Sequence, residues 1–291
     1  RPPHSTTLPP LLQGANVVPP NVSTDICVPM IALELEFLGT GTSQGVPVIA
    51  CNCSICTSSD PRDKRLRSSV LIHTDTKTIL IDAGPDLRQQ LLRTSTENVD
   101  AVLLTHEHMD HLAGIDELRA FNFKQGRAMD IYSSEATNAA VRRMFHYAFA
   151  DKRYPGVPEL TLHTIGEAPF DVCGIEITPI EVLHYNMPVL GFRIGDLAYI
   201  TDAKTLPAKA MKQLQGVDVL VLNALRKKEH SSHLNLQEAT DVAKEIGARQ
   251  TYFTHVSHLM GRHQEVSVEL PEGISFAYDG LRVQVKVPVQ N

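Results

Sequence analysis

Hydrophobic and polar residues alternate in several short stretches of the chain, and a period of two is typical of β-strands. Leu33–Leu38 is the first such stretch, and Ser69–His73 with Lys77–Ile81 predicts a hairpin that turns at residues 74–76. Val99–Leu104 is almost entirely apolar and predicts a short buried strand. Further strands are predicted at Ile175–Val182, Val189–Ile194, Leu197–Ile200, Val217–Leu222, Gln250–Phe253 and Val283–Val287.

Three segments have the composition or the hydrophobic period of helices. Pro85–Arg93 predicts a helix with Asp86 near its start, where a carboxylate suits the helix dipole. Leu206–Leu214 predicts a second helix, and Asn235–Ile246 predicts an amphipathic third helix that ends at Gly247. Because helices alternate with strands and hairpins, the sequence predicts a layered fold of the α/β (α+β) class.

The first 30 residues differ from the rest of the chain. They are rich in Pro, Ser, Thr and Asn and carry almost no charge, and proline prevents regular elements. Met30 stands directly before the first predicted strand. We therefore expect residues 1–30 to be a disordered leader or tag, with Met30 as the natural start, and residues 31–291 to form a single hydrolase domain.

Composition sets limits on the functional class. Apolar residues make up 43% of the 291 residues, charged residues 21%, and the net charge is −6, which favours a globular protein without general attraction to nucleic acid or membranes. No apolar run approaches the ~20 residues that cross a bilayer. Five cysteines, three of them within six residues, favour metal ligands in a reducing compartment over disulfides. The sequence predicts a cytoplasmic protein.

The strongest chemical signal follows the predicted strand Val99–Leu104. His106, His108, Asp110 and His111 lie within six residues of one another. A strand end is a rigid platform, and imidazole and carboxylate are the ligands that divalent zinc or manganese prefers. This spacing predicts a metal site.

The stretch His106–His111 resembles the HxHxDH motif of the metallo-β-lactamase superfamily. The other motifs of that superfamily appear in order, each at the end of a predicted strand, as Asp82, His184, Asp202 and His255. The resemblance covers essentially residues 33–287. It implies a four-layer αββα sandwich, the metallo-β-lactamase fold, with the site at one edge of the sheets.

The resemblance also implies how ligands divide between two divalent ions, zinc or manganese. The first ion would be held by His106, His108 and His184, and the second by Asp110, His111 and His255, with Asp202 bridging both. Asp110 would also take part in catalysis, and Asp82 would orient the ligands from behind them. Two cations ~3.5–4 Å apart lower the pKa of a shared water toward ~7, which supplies hydroxide at neutral pH. A ligand set of His and Asp without Cys favours phosphate esters over lactams.

A second cluster follows the glycine-rich stretch Gly39–Pro47. Cys51, Cys53 and Cys56 have CxCxxC spacing, which lets three thiolates reach one ion, and His258 is the candidate fourth ligand. This combination resembles the phosphoribosyl cyclic phosphate phosphodiesterase family of the carbon–phosphorus lyase pathway, and it implies a structural zinc. The alternative is three ordinary thiols and a surface histidine.

The loop before the third predicted helix contributes two further candidates. His233 matches a histidine that acts near the leaving group in the resembled family, which implies a general acid or a stabiliser of phosphate charge. A histidine pKa near ~6.5 suits that role, although packing at the helix start is the alternative. Arg226 is a candidate for contact with a substrate phosphate, although short basic clusters usually form solvated faces.

Together these features predict a metal-dependent phosphodiesterase that hydrolyses a small phosphodiester, with cyclic ribose phosphates among the candidates, by a hydroxide shared between two metal ions. Alternatives are an RNA-end-processing nuclease, a thioester or lactone hydrolase, and a non-catalytic metal-binding protein. A nuclease of this superfamily carries a basic arm, and we see no Lys/Arg-rich insertion. Residues 223–226 depart from the resembled family, so the substrate stays open. The expected partner is a small molecule, with no membrane, and a homodimer is open by analogy.

Overall fold

A computed structural model of the protein describes residues 30–288. The strands in this range are β1 (Met30–Gly39), β2 (Ser69–His73), β3 (Thr78–Ile81), β4 (Ala101–Leu103), β5 (Met129–Ser133), β6 (Leu160–Thr164), β7 (Phe170–Val172), β8 (Ile175–His184), β9 (Met187–Ile194), β10 (Leu197–Tyr199), β11 (Val219–Asn223), β12 (Gln250–Thr254), β13 (Ile274–Phe276) and β14 (Arg282–Pro288). The α-helices are α1 (Leu87–Arg93), α2 (Met109–Leu112), α3 (Arg119–Gln125), α4 (Glu135–Met144), α5 (Ala208–Gln213), α6 (Leu236–Ile246) and α7 (His263–Ser267). Short 3₁₀ turns lie at Pro61–Asp63, Ile115–Leu118 and His146–Ala148.

The strands form two sheets of seven with matching organisation. The first has the order β14-β1-β2-β3-β4-β5-β6 and the second the order β13-β12-β11-β10-β9-β8-β7. In the first sheet, the pairs from β14 to β3 are antiparallel and those from β3 to β6 are parallel. In the second, the pairs from β7 to β10 are antiparallel and those from β10 to β13 are parallel. The chain therefore repeats one βα plan in two halves.

Three apolar clusters separate four layers. Ile79 and Ile81 of β3 point between the sheets, whereas Leu80 packs against helices on the outer face, as the period of two in a strand requires. On the second sheet, Leu220 and Leu222 belong to the outer cluster that contains α5 and α6. The order is helix, sheet, sheet, helix, which confirms the predicted αββα sandwich.

The starts of α1 and α6 agree with the sequence, but only α6 is capped by a side chain. In α6, Asn235 and Glu238 form a capping box, and Gly247 has φ 72°, a left-handed conformation that glycine adopts without strain. In α1, Asp86 precedes the first turn but makes no side-chain cap bond. Its carboxylate instead pairs with the guanidinium of Arg67 at 3.0 Å, so its contact is with a neighbouring loop.

The predicted leader or tag lies outside the described residues, apart from Met30, which begins β1. Within residues 30–288, none of the helices combines the length and the apolar character that a bilayer crossing requires.

Candidate metal centre

The candidate ligands leave the ends of strands from both sheets. His106 lies three residues after β4, His184 ends β8, Asp202 lies three residues after β10, and His255 directly follows β12. Asp110 and His111 lie in the first turn of α2, directly after the β4 loop. Because strand ends from both sheets meet at one edge of the sandwich, side chains far apart in sequence converge there.

Close backbone packing places α2 against the end of β3. The Ala83 N–H donates to the His111 carbonyl at 2.6 Å. A Cβ atom on Gly84 would clash with the Asp110 carbonyl, so this approach requires glycine. The ligands on α2 are thereby held against the loop that carries Asp82.

Asp110, His111, Asp202 and His255 form the tightest donor group, with ligand atoms all within 4.8 Å of one another. His111 Nε2 lies 3.2 Å from Asp110 Oδ2 and 3.3 Å from Asp202 Oδ2. His255 Nε2 lies 3.2 Å from Asp202 Oδ1. Four donors therefore face one point.

A second donor group shares Asp202. His184, Asp202 and His233 also present ligand atoms within 4.8 Å of one another. Beside them, His106 Nε2 and His108 Nδ1 are 3.0 Å apart, and the His108 and His184 ring centroids are 5.1 Å apart. The structure thus brings all seven predicted ligands into one continuous cluster, with Asp202 between its two parts.

Buried nitrogen atoms without partners indicate that the cluster fits cations. Among the described residues, His111 Nε2 and His255 Nε2 are buried and have no hydrogen-bond partner. Buried polar atoms normally have partners, because leaving one unpaired costs about 1–3 kcal/mol. Divalent cations would satisfy these lone pairs, and the carboxylates of Asp110 and Asp202 would balance their charge.

The electrostatic field of the cluster favours the binding of cations. Burial, with the neighbouring His111, lowers the pKa of His106 well below its usual value. Burial opposes ionisation of Asp202, but His255 and His111 hold its pKa well below the usual range. Burial also opposes a charge on His111, yet the carboxylates of Asp82, Asp202 and Asp110 raise its pKa. The pKa values of Asp110 and Asp202 are both lowered, so these two carboxylates are anionic at neutral pH and their field attracts cations.

A hydrogen-bond relay behind the cluster sets the tautomers of two histidines. Asp82 Oδ2 accepts from His111 Nδ1 at 2.7 Å and from the Thr105 hydroxyl at 2.9 Å. Because a carboxylate only accepts, the Thr105 hydroxyl donates to it and is left to accept from His106 Nδ1, at 2.9 Å. In the neutral form of each ring the proton therefore lies on Nδ1, and Nε2 is the nitrogen that a cation in the site would take. Asp82 contacts His111 on the side away from the cluster, whereas Thr105 was not among the predicted residues because its role appears only in the hydrogen-bond geometry.

A carbonyl group fixes the third tautomer. His184 Nδ1 donates a hydrogen bond to the Ser232 carbonyl at 2.8 Å and lies 3.1 Å from the Asp202 carbonyl. The lone pair on Nε2 is therefore the one available to a metal ion. The loop that carries Ser232 is closed at its base, where the Leu225 N–H donates to the Leu234 carbonyl at 3.0 Å. Ser232 was not predicted, since the contact is made by its backbone carbonyl and not by its side chain.

The cysteine cluster forms a separate donor group about His258. His258 Nδ1 lies 3.3 Å from the sulfur of Cys51 and 3.5 Å from those of Cys53 and Cys56. Tetrahedral zinc with Zn–S of about 2.3 Å and Zn–N of about 2.0 Å separates S and N by about 3.5 Å. A hydrogen bond from the Cys56 N–H lowers the pKa of Cys53 to about 6, which favours the thiolate. The four side chains fit one zinc ion.

Comparisons with known proteins agree with this geometry. The family model described as a β-lactamase superfamily domain matches residues 77–256, the segment that carries the cluster. The chain belongs to the metallo-β-lactamase superfamily. A crystal structure described as a new diphosphatase from the PhnP family is 37% identical, with a TM-score of 0.85, and the match covers 90% of this chain and all of that one. This superfamily member therefore lies close to the PhnP family.

Two further relatives differ in what they support. Zn(2+)-bound PqqB from Methylobacterium extorquens has a TM-score of 0.70 at 21% identity, covering 86% of this chain and 99% of its own, and it supports the fold alone. An octanoyltransferase of Porphyromonas gingivalis is 41% identical over 84% of this chain and 50% of its own length. The chain thus spans about half the length of that relative.

The two remaining candidate site residues, His233 and Arg226, have different surroundings. The His233 ring stacks on His255 with centroids 4.9 Å apart, and its Nδ1 lies 3.7 Å from Asp202 Oδ1. Burial and the neighbouring His255 lower the pKa of His233 to about 3, so its ring is neutral at pH 7, in contrast to the value near ~6.5 assumed from sequence. The Arg226 guanidinium donates to the carbonyls of Lys228 and Glu229, within its own loop.

Proposed function

We propose that the chain is a phosphodiesterase that hydrolyses a small phosphodiester, with cyclic ribose phosphates as the leading candidates. The observation that carries this proposal is the position of Asp202, whose carboxylate belongs to both donor groups. A carboxylate between two groups of imidazole and carboxylate donors suits a pair of divalent cations such as zinc or manganese. A pair of such ions can bind and polarise the oxygen atoms of a phosphate ester.

In this proposal each ligand keeps the role inferred from the sequence. His106, His108 and His184 would hold the first ion, and Asp110, His111 and His255 would hold the second, with Asp202 available to both. Bound there, the ions would supply an activated water molecule and charge stabilisation for the phosphoryl oxygens. Asp82 and Thr105 hold ligand tautomers, so the lone pairs are oriented before the ions arrive.

We assign His233 to the phosphoryl group of the substrate. It is 8% exposed, and its ring lies against His184 and His255 at the inner wall of the cluster. From there a neutral imidazole N–H can donate a hydrogen bond to a phosphoryl or leaving-group oxygen. Such a donor stabilises the charge that builds up as the ester bond breaks.

The same proposal includes a structural zinc on Cys51, Cys53, Cys56 and His258. His258 and the ligand His255 are three residues apart on one loop. That loop also pairs with the early loop through the Val256 N–H, which donates to the Thr40 carbonyl at 2.9 Å. The zinc would hold the two loops together beside the catalytic cluster.

A phosphodiester panel with metal counting tests the proposed function. The panel contains bis(p-nitrophenyl) phosphate, 2′,3′-cyclic and 3′,5′-cyclic nucleotides and a short RNA, with an octanoyl thioester and a lactone as comparisons. We expect turnover of small diesters by protein that carries two ions besides the structural zinc. Turnover of the thioester or lactone without any diester turnover would refute the proposal, and selective RNA cleavage would favour the nuclease alternative.

A further inference from the structure

Asn223 ends strand β11, between two of the loops that carry candidate ligands. In the second sheet, β11 has β10 on one side and β12 on the other. The bridging candidate Asp202 follows β10, and His255 follows β12. Asn223 pairs with Thr254 of β12 and is fully buried. Its side-chain amide therefore needs partners within the protein for both its donor and its acceptor atoms.

The Asn223 amide makes two hydrogen bonds to the backbone of Ala203, the residue directly after Asp202. Its Oδ1 accepts from the Ala203 N–H at 2.7 Å, and its Nδ2 donates to the Ala203 carbonyl at 2.9 Å. The backbones of β10 and β11 are paired as far as Tyr199. The Asn223 side chain thus continues the link between the two strands beyond their paired residues, up to the candidate ligand.

Support at this point matters because the backbone of Asp202 is strained. Its φ of 56° lies in the left-handed region, which is unfavourable for a residue other than glycine. Such a conformation persists only where the surrounding structure holds it. Asn223 binds both backbone groups of the next residue, Ala203. It therefore opposes relaxation of the turn that directs the Asp202 carboxylate into the site.

The same contact reaches the loop that carries His233. The Leu234 N–H donates to the Ala203 carbonyl at 2.9 Å, so this carbonyl accepts from both Leu234 and Asn223. Leu234 directly follows His233, whose Nδ1 lies 3.7 Å from Asp202 Oδ1. A shift of the Ala203 backbone would therefore move Asp202 and His233 relative to each other.

We propose that Asn223 is a positioning residue that holds the bridging candidate Asp202 and the imidazole of His233 in a fixed relative position. The part that concerns His233 rests on the proposed phosphodiesterase function, whereas the part that concerns Asp202 rests on the geometry of the metal cluster. A carboxamide presents an acceptor and a donor side by side, which matches the N–H and the carbonyl of one residue. An apolar side chain of the same size leaves the buried Ala203 N–H without this partner.

Asn223→Leu tests the proposal, because leucine has a similar size and makes no side-chain hydrogen bond. Loss of a contact behind a metal ligand weakens metal binding by about 10–100-fold. We therefore expect chelator titration of the metal-loaded protein to show an affinity about 30-fold weaker for at least one ion of the His and Asp cluster. With cobalt as the probe, the visible absorption of that cluster should shift, since it depends on ligand geometry. The thiolate-to-cobalt band of the cysteine cluster should stay unchanged.

Asn122→Leu is the matched control. The Asn122 amide binds the backbone of Glu159 in the same way, accepting from its N–H at 2.9 Å and donating to its carbonyl at 3.0 Å. Asn122 is also buried, but Glu159 directly precedes β6, whereas the candidate ligands follow the ends of strands. This variant should lower the melting temperature, as Asn223→Leu does, and leave the metal affinities and the cobalt spectrum unchanged.

Turnover of a diester is measured with the ions in excess, and we expect kcat of Asn223→Leu to fall by about ten-fold or more, because a small displacement of site groups suffices for such a loss. Asn223→Ala removes the same contacts without adding bulk and decides the question if Asn223→Leu does not fold. Unchanged metal affinities and cobalt spectrum overturn the proposal, as does an equal effect of Asn122→Leu, and an unchanged kcat overturns the link to His233. If the wild type cleaves no diester, the proposed function fails, and the affinities and spectra still decide whether Asn223 positions Asp202.

Discussion

Thr105→Val tests whether the relay behind the cluster orients a metal ligand. The substitution replaces the hydroxyl by a methyl group of similar shape. His106 Nδ1 then loses its acceptor at 2.9 Å, whereas Asp82 keeps the Thr105 N–H at 2.9 Å and His111 at 2.7 Å. Asp82 loses only the hydroxyl as a donor, so the damage is greatest at His106, one of the predicted ligands of the first ion.

The expected loss of metal affinity follows from the burial of the contact between Thr105 and His106. Thr105 and His106 are each 1% exposed, so water cannot replace the lost acceptor. An unpaired buried donor costs about 1–3 kcal/mol, and loss of a contact behind a metal ligand weakens metal binding by about 10–100-fold. Since ten-fold corresponds to about 1.4 kcal/mol, the two ranges overlap. We expect the affinity for one of the two ions to fall about 30-fold and that for the other to change little.

The assay is metal content after dialysis against graded chelator concentrations, measured together with turnover. Thr105→Ser retains the hydroxyl and should restore most of the affinity. Thr254→Val is the matched control, because Thr254 is fully buried beside His255 and its hydroxyl has no partner among the described residues. If Thr105→Val binds both ions as tightly as the wild type, or if Thr254→Val weakens binding equally, the relay does not position His106.

Three other variants test the remaining parts of the site. Asp202→Ala should lose one ion and nearly all turnover, because it removes the carboxylate shared by both donor groups; full activity with two ions would exclude the bridging role. His233→Ala should retain both ions yet slow turnover by roughly 10²–10⁴-fold, and an unchanged rate would remove His233 from the mechanism. Cys53→Ser should lose one zinc per chain by elemental analysis and lower the melting temperature, whereas Cys173→Ser, at an exposed thiol, should do neither.

The sequence located the site well where strongly apolar strands end in polar residues. β3 and β4 are entirely buried, so their apolar runs stand out, and the ligands of the His106–His111 stretch follow directly. His184 and His255 are different, because one histidine after a strand is not informative alone. Their placement depended on the resemblance to the superfamily, and the structure brings both to the cluster.

The elements in the middle of the chain were not predicted, because residues 113–170 lack a clear hydrophobic pattern. Residues 113–170 contain β5, α4 and β6, none of which was anticipated. β6 has no fully buried residue, and α4 places polar Thr137 and Asn138 among its buried positions. When buried positions are polar and apolar ones are partly exposed, the hydrophobic period is too weak to identify the element.

Backbone conformation at the strand ends links the fold to the site. Asp82, Asp202 and His255 have φ values of 63°, 56° and 56°, in the left-handed region that costs a non-glycine residue about 1 kcal/mol or more. These residues follow β3, β10 and β12, and each carries a side chain that meets the metal cluster or supports it. Glycine would remove the strain but also the carboxylate or imidazole. The left-handed backbone conformation directs each of these side chains back over the edge of the sheet. The backbone strain therefore accompanies the convergence of the candidate ligands. The packed sandwich behind the strand ends holds the strained backbone in place.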